Sequence, residues 1–266
     1  MARYLMAIDA GTGSVRAVIF DLEGHQISVE QREWTHLEDP RFPGSMDFDV
    51  KLNFRLVLEC VNGAIKKANI SGSEIMAIST TSMREGIVLY DREGNEIWAC
   101  ANVDARAGKE VSQLMEIRPN IERDIYSVSG QTFALGALPR ILWVKNNLPD
   151  VYEKTAAVTM LNDWIIYRIS GVFALEPSNG STTGMFDLKT RSWDAQIAKQ
   201  CGLKEDIYPR VYESATPVGT VCKEFAALTG LSERCLVVTG GGDAQLGCIG
   251  VGAVSPGQAC LFGAGP

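Results

Sequence analysis

Two aspartates set far apart are the residues most able to do chemistry. Asp9 stands in YLMAIDAGTGSVRAVIF and Asp243 in LVVTGGGDAQLGCIGVG. Each follows an apolar run of strand length, and each is followed by small residues that let another molecule come close to the backbone. Two carboxylates at the C-terminal ends of strands suit a magnesium-assisted phosphoryl transfer. One would hold the metal, and the other would take the proton from an acceptor hydroxyl.

The first loop, DAGTGS, lacks the lysine of a Walker A loop, and a second strand rather than a helix follows it. The expected structure is a tight hairpin at Gly11, Thr12, Gly13 and Ser14, with backbone N–H groups and two hydroxyls able to cradle phosphate oxygens. Asp9 meets phosphate favourably only across a cation, so a hard, oxygen-preferring ion such as Mg2+ is implied. A turn stocked with Gly, Thr and Asp for conformational reasons alone explains the loop equally. In the second loop, three consecutive glycines at 240–242 make sense where the backbone bends sharply or is closely approached. Asp243 then opens a helix of small residues. It serves either as that helix's N-cap or as a proton acceptor suited by the positive end of the helix. A third group, STTSMREGIVLYDREGNEIWACANVDAR, sets Arg84 and Glu85 just after a strand and Asp104 with Arg106 after the next. Adjacent Arg and Glu can hold sugar hydroxyls through charge-assisted hydrogen bonds, or form no more than a surface ion pair.

The elements that must carry these loops follow from hydrophobic periodicity. Residues 4–9, 14–20 and 25–31 read as an antiparallel meander turned at Ala10–Gly13 and Asp21–Gly24. Leu52, Leu56, Val57, Cys60, Val61, Ala64 and Ile65 recur at helical spacing over 50–68, with Asp49 as N-cap. Strands are expected at 75–80, 86–90, 96–101, 235–239 and 258–262. Helices are expected near 104–117, 138–147, 162–169, 194–201, 222–229 and from 244, with loop and strand over 174–188. Pro139 falls near a helix start, where its missing N–H costs little. Strands first and interleaved helices afterwards predict an α/β fold, a mixed sheet flanked by helices.

With 266 residues, 46% of them apolar and 21% charged, the chain can bury a substantial core. No apolar stretch reaches the length of a membrane span, and no basic-then-apolar leader opens the sequence. A net charge of −7 argues against nucleic acid and anionic lipid as partners. The seven dispersed cysteines form no Cys-x-x-Cys pair and have only His25 and His36 to help them, which disfavours zinc. Reduced thiols and a cytoplasmic location are expected.

Taken together, DAGTGSVRAVIFD, ANVDAR, LNDWIIYRISG, PSNGSTTGMFDL and GGGDAQLGCIGVG, in that order, resemble the FGGY family of carbohydrate kinases, across essentially all 266 residues. The resemblance implies a ribonuclease-H-like domain of the actin and hexokinase superfamily over 1–266. It corresponds to the family's N-terminal substrate-binding half, with the C-terminal nucleotide-binding domain absent from this chain. It implies ATP and Mg2+, with Asp243 as general base, Asp9 on the metal and Gly11–Ser14 on phosphate. Arg84, Glu85 and Asp104 would lie on a small sugar-like or signal substrate, with Asp104 alternatively bracing the site together with Arg106 and Asp163. Arg84–Glu85 is similar to the pair used by glycerol-phosphorylating members. However, Ala244 and Leu135 stand where those members have a substrate-binding Gln and Tyr. Fewer polar contacts suit a less hydroxylated acceptor, a dihydroxy-pentanedione before a pentulose or glycerol. A non-catalytic substrate-binding half-domain and an actin-like nucleotide switch are the competing readings. Exposed apolar surface is expected where a second domain would pack, making a homodimer conceivable.

Overall fold

The computed structural model describes residues 3–261. Along the chain run β1 (Tyr4–Ala10), β2 (Ser14–Asp21), β3 (Gln26–Glu33), α1 (Val50–Ala68), β4 (Ile75–Ser82), β5 (Ile87–Tyr90) and β6 (Glu96–Cys100). Then follow α2 (Gly108–Ile117), α3 (Ile121–Ser129), α4 (Ala137–Asn147), α5 (Pro149–Lys154), β7 (Ala157–Met160), α6 (Leu161–Ser170) and α7 (Pro177–Gly180). The chain continues through β8 (Phe186–Asp187), β9 (Ser192–Trp193), α8 (Ala195–Gln200), β10 (Pro217–Thr220), α9 (Lys223–Thr229), β11 (Leu236–Gly242) and α10 (Asp243–Gly250).

The main sheet has six strands in the order β10-β11-β4-β1-β2-β3. β1, β2 and β3 form the expected antiparallel meander, whereas β4 and β11 run parallel to β1. Alternation along β1 and β2 sends Met6, Ile8, Val15, Ala17 and Ile19 into the core, while Leu5 and Arg16 face out. α1 covers β2 and β3, starting where Asp49 accepts the N–H groups of Lys51 and Leu52 and ending at Asn69 in a left-handed conformation. Its buried face meets α6 and α9 through edge-on packing of Phe54 on Trp164 (6.3 Å between centroids) and a tilted contact with Phe225 (6.1 Å). A second core lies around the small sheet β6-β5-β7 with α2, α3 and α4.

Several elements differ from the sequence reading. The helix expected from 104 begins only at Gly108, because the Asp104 carboxylate accepts the N–H of Arg106 and holds those residues in a turn. α3, α5, β7 and β10 were not expected; the last two have only four residues each. Residues 258–261 form no strand, and the remainder of that expectation lies outside the described residues. β11 does not stop before the glycines but runs through them. The pairing of β11 with β4 shifts register between Val238 and Gly241, and a Cβ on Gly240 would stand 1.5 Å from the Thr80 carbonyl oxygen. Here the triple glycine permits close approach of two strands rather than a sharp bend.

All seven cysteines are free thiols, with Cys60, Cys100, Cys201 and Cys235 buried. α10 buries none of its residues, and Ile249, Val251 and Val254 are exposed on and after it. Among the described residues no helix is long and apolar enough to cross a membrane.

Because the obstacle at Gly240 is backbone, it cannot rotate away. Gly240→Ala is expected to cost about 3 kcal/mol or more of folding stability, measured by urea denaturation; a loss below about 1 kcal/mol would contradict the close approach.

Candidate active site at the strand ends

Strand register brings the separate motifs together. Asp9 pairs with Thr81, and Thr81 with Gly241; one residue on, Ala10, Ser82 and Gly242 stand level. Thus β1, β4 and β11 end side by side at the same edge, the usual ligand crevice of a parallel sheet. At about 4.8 Å per strand, the Asp9 and Gly241 backbones lie roughly 10 Å apart, with Asp243 two residues beyond Gly241 and Arg84–Glu85 leaving β4 between the two aspartates. Arg84 Nε stands 3.9 Å from Asp243 Oδ1. Asp243 is the first residue of α10, is more than half exposed, and has its Oδ1 on the Ala244 N–H at 2.8 Å.

Asp9 Oδ2 accepts from Arg16 Nε at 2.8 Å and Nη2 at 2.6 Å across the hairpin. The turn is held from behind. Trp34 Nε1 reaches the carbonyls of Gly11 and Thr12 at 3.0 and 3.1 Å, and His36 Nε2 lies 2.7 Å from the Thr12 carbonyl. The Thr12 hydroxyl bonds the Asn102 side chain. Neither Gly11 nor Gly13 has a positive φ, and a Cβ on Gly13 would meet nothing within 4 Å. Turn conformation therefore does not demand these glycines; they leave backbone uncovered above the strand ends, as a phosphate cradle requires. Among the described residues no cluster of three or more His, Cys, Asp or Glu could cage a metal. A single carboxylate beside a phosphate cradle fits Mg2+, which keeps several waters and is shared with phosphate oxygens.

Glu85 has φ +73°, a left-handed conformation that costs a non-glycine residue of order 1 kcal/mol or more. Arg140, buried within α4, holds it there by donating to the Glu85 carbonyl and, through Nη2, to the carbonyls of Asn102 (2.7 Å) and Asp104 (2.9 Å). One guanidinium thus ties the loop after β4 to the loop after β6. Burial raises the Glu85 pKa and the Asp243 charge adds to it, against Arg140 and Arg84, which lower it. A cavity of about 270 Å³ opens beside these loops, bordered by Asp104, Ala105, Ala134, Leu135 and Arg140.

Asp104 borders that cavity, but its fully buried carboxylate accepts from the Met46 N–H (2.7 Å) and Arg106 Nε (2.8 Å). Arg106 in turn lies over both Trp98 and Trp143, its guanidinium 5.3 and 4.9 Å from their ring centroids, and reaches Asp47. These bonds suit Asp104 to bracing, the role also expected of it together with Arg106, rather than to direct substrate contact. Asp163, in the first turn of α6, is fully buried, with Oδ1 on Asn162 Nδ2 (3.1 Å) and no partner for Oδ2. Burial, and then the charge of Glu176, push its pKa well above the ordinary 3.8. Sequence reasoning missed Arg140, whose signal is a cation set within the apolar, buried run 137–144 of α4. It also missed Trp34 and His36, which have no local signal.

The raised Asp163 pKa has a sign. The folded state binds this proton more tightly than the unfolded chain does, so its stabilising contribution is complete below 3.8 and is lost as pH rises towards the folded value. Asp163→Asn removes that loss. Its thermal midpoint relative to wild type is expected to climb as pH rises from about 4 to 8; a constant difference would contradict a neutral Asp163.

Known proteins resemble this chain in sequence and fold. The model of the FGGY family of carbohydrate kinases, N-terminal domain, matches residues 4–250. The autoinducer-2 kinase of Yersinia enterocolitica is 52% identical over 261 residues, which is 98% of this chain and 49% of that protein. The autoinducer-2 kinase of an Enterobacter strain is 51% identical over the same shares. The chain thus spans about half the length of the curated relatives it matches. Xylulose kinase from Rhodospirillum rubrum superimposes with a TM-score of 0.87 over 96% of this chain and 52% of that one, at 23% identity, a likeness of fold. From its β1 hairpin to the aspartate that opens α10, this chain belongs to the FGGY family of carbohydrate kinases.

Proposed function

We propose that this chain is the acceptor-binding half of an ATP-dependent kinase that transfers the γ-phosphoryl group to a primary hydroxyl of a small sugar-like compound. The observation that carries this reading is the gathering of Asp9, Arg84–Glu85 and Asp243 at one edge by the parallel strands β1, β4 and β11. The proposed acceptor is the autoinducer-2 precursor, 4,5-dihydroxy-2,3-pentanedione. In support stand the relatives at about 51% identity and the exposed Leu135 at the mouth of the cavity, which offers no hydroxyl to a polyol.

Asp243 takes the proton of the acceptor hydroxyl as its oxygen bonds to phosphorus and the bond to the nucleotide breaks. Its exposed carboxylate on the first turn of α10, 3.9 Å from Arg84 Nε, supports this role. Arg84 and Glu85 hold acceptor oxygens; burial of Glu85 favours its neutral form, which can donate as well as accept. The Gly11–Ser14 turn receives phosphate oxygens on its N–H groups. Mg2+ held by Asp9 would neutralise charge developing on the phosphates. Arg140, Asp104 and Arg106 keep these groups in place, and most of the rate enhancement is positioning of this kind.

The test is phosphoryl transfer by the full-length protein with Mg-ATP and a panel of dihydroxypentanedione, xylulose, ribulose and glycerol. Turnover is expected on the dione. In the same assay Asp243→Asn is expected to lose about 10²- to 10⁴-fold in kcat with its fold intact. Near-normal turnover in that variant would refute the base assignment, and turnover on a pentulose or glycerol alone would replace the acceptor.

A further inference from the structure

β11 has two edges, and they are not equally held. On one side β4 accompanies it as far as Gly242, paired with Ser82. On the other, β10 stops at Pro217, opposite Val238, and leaves the glycine run without a strand neighbour. α7 fills the gap. The Gly242 N–H donates to Ser178 Oγ at 2.7 Å, and the Ser178 hydroxyl donates to Glu176 Oε2 at 2.6 Å. Glu176 is completely buried and also accepts the N–H groups of Ser178 (2.6 Å) and Asn179 (2.7 Å) and the Asn179 side-chain amide (2.8 Å). A serine hydroxyl has one proton. Sending it to Glu176 leaves a lone pair aimed at Gly242, so the chain from N–H through hydroxyl to carboxylate has a single polarity.

Gly242 is the N-cap of α10 and has no side chain with which to fix the start of the helix. Its N–H is therefore the anchor for the peptide that leads into Asp243. Space is short there as well: a Cβ on Gly241 would lie 3.2 Å from Ser178 Oγ, and one on Gly242 would lie 2.7 Å from Gln245 Oε1.

We propose that Glu176 and Ser178 form a relay that sets the direction of Asp243, acting as positioning residues for proton acceptance by that aspartate. The inference rests on the reading of Asp243 as the base. Loss of the relay leaves acceptor binding by Arg84 and Glu85 intact while turning Asp243 away from its target, so it acts on kcat and not on KM. Displacement of about 1 Å in such a group can cost about 10²-fold in rate.

The experiment compares Ser178→Ala, Ser178→Thr and Glu176→Gln with wild type in the full-length protein, reading kcat, acceptor KM and exchange of the Gly242 amide by NMR. Ser178→Ala is expected to lower kcat about 10- to 100-fold with KM within about twofold, and to speed Gly242 exchange. Ser178→Thr, which keeps the hydroxyl, restores most of the rate, and Glu176→Gln falls between. A folded Ser178→Ala with wild-type kcat, or a Ser178→Thr as impaired as the alanine variant, overturns the relay. If wild type transfers phosphate to no acceptor, the kinase reading fails, and the relay is judged by the amide alone. The same amide decides should Ser178→Ala not fold: protection of Gly242 in wild type supports the relay, and free exchange overturns it.

Discussion

The contact on which this architecture rests is the approach of the β11 backbone to that of β4 at Gly240, where no side chain fits against the Thr80 carbonyl. Two parallel strands can end level only if each residue of one finds its place on the other. The register shift before Gly241 is where β11 makes that adjustment. With it, Gly242 stands opposite Ser82 and Asp243 emerges beside Arg84. The Thr81 hydroxyl, donating to the Gly241 carbonyl at 2.8 Å, fastens the adjusted segment from the β4 side.

Around this edge the molecule uses buried polar groups as fasteners rather than as reagents. Arg140 gathers three carbonyls, Arg106, packed over two indoles, locks Asp104, and Trp34 with His36 grips the carbonyl side of the first hairpin. Arg140, Arg106 and Trp34 have hydrogen-bond partners where burial would otherwise be costly. The groups left partly exposed, Asp9, Arg84, Glu85 and Asp243, are those that the proposed reaction needs. Scaffold and reagent are thus separated by burial.

Legibility in the sequence followed the range of the determining interactions. β1 and β2 show two-residue alternation, and α1 has both a 3.6-residue apolar face and a capping aspartate, so their bounds were readable almost to the residue. The glycine-flanked aspartates announced themselves because small residues beside a carboxylate have few structural uses. By contrast, β10 opens with a proline and runs only four residues, and β7 is as short; both exist because a neighbour supplies hydrogen bonds. Arg140 and Ser178 were hidden for the same reason. Their partners are 55 and 64 residues away, at the Glu85 carbonyl and the Gly242 amide. Asp104 looked like a substrate ligand because its sequence neighbours say nothing of Met46, which occupies its carboxylate.

The backbone at Glu85 places two demands in opposition. Its φ of +73° is one that glycine adopts without penalty, so a chain selected for stability alone would drift towards glycine there. A carboxyl is kept on that backbone, and Arg140 restrains the carbonyl that would otherwise let it relax. Position 85 is therefore a place where durability and chemistry compete for one residue. Variants that gain thermal tolerance by easing this turn would be expected to lose the carboxyl proposed to hold the acceptor.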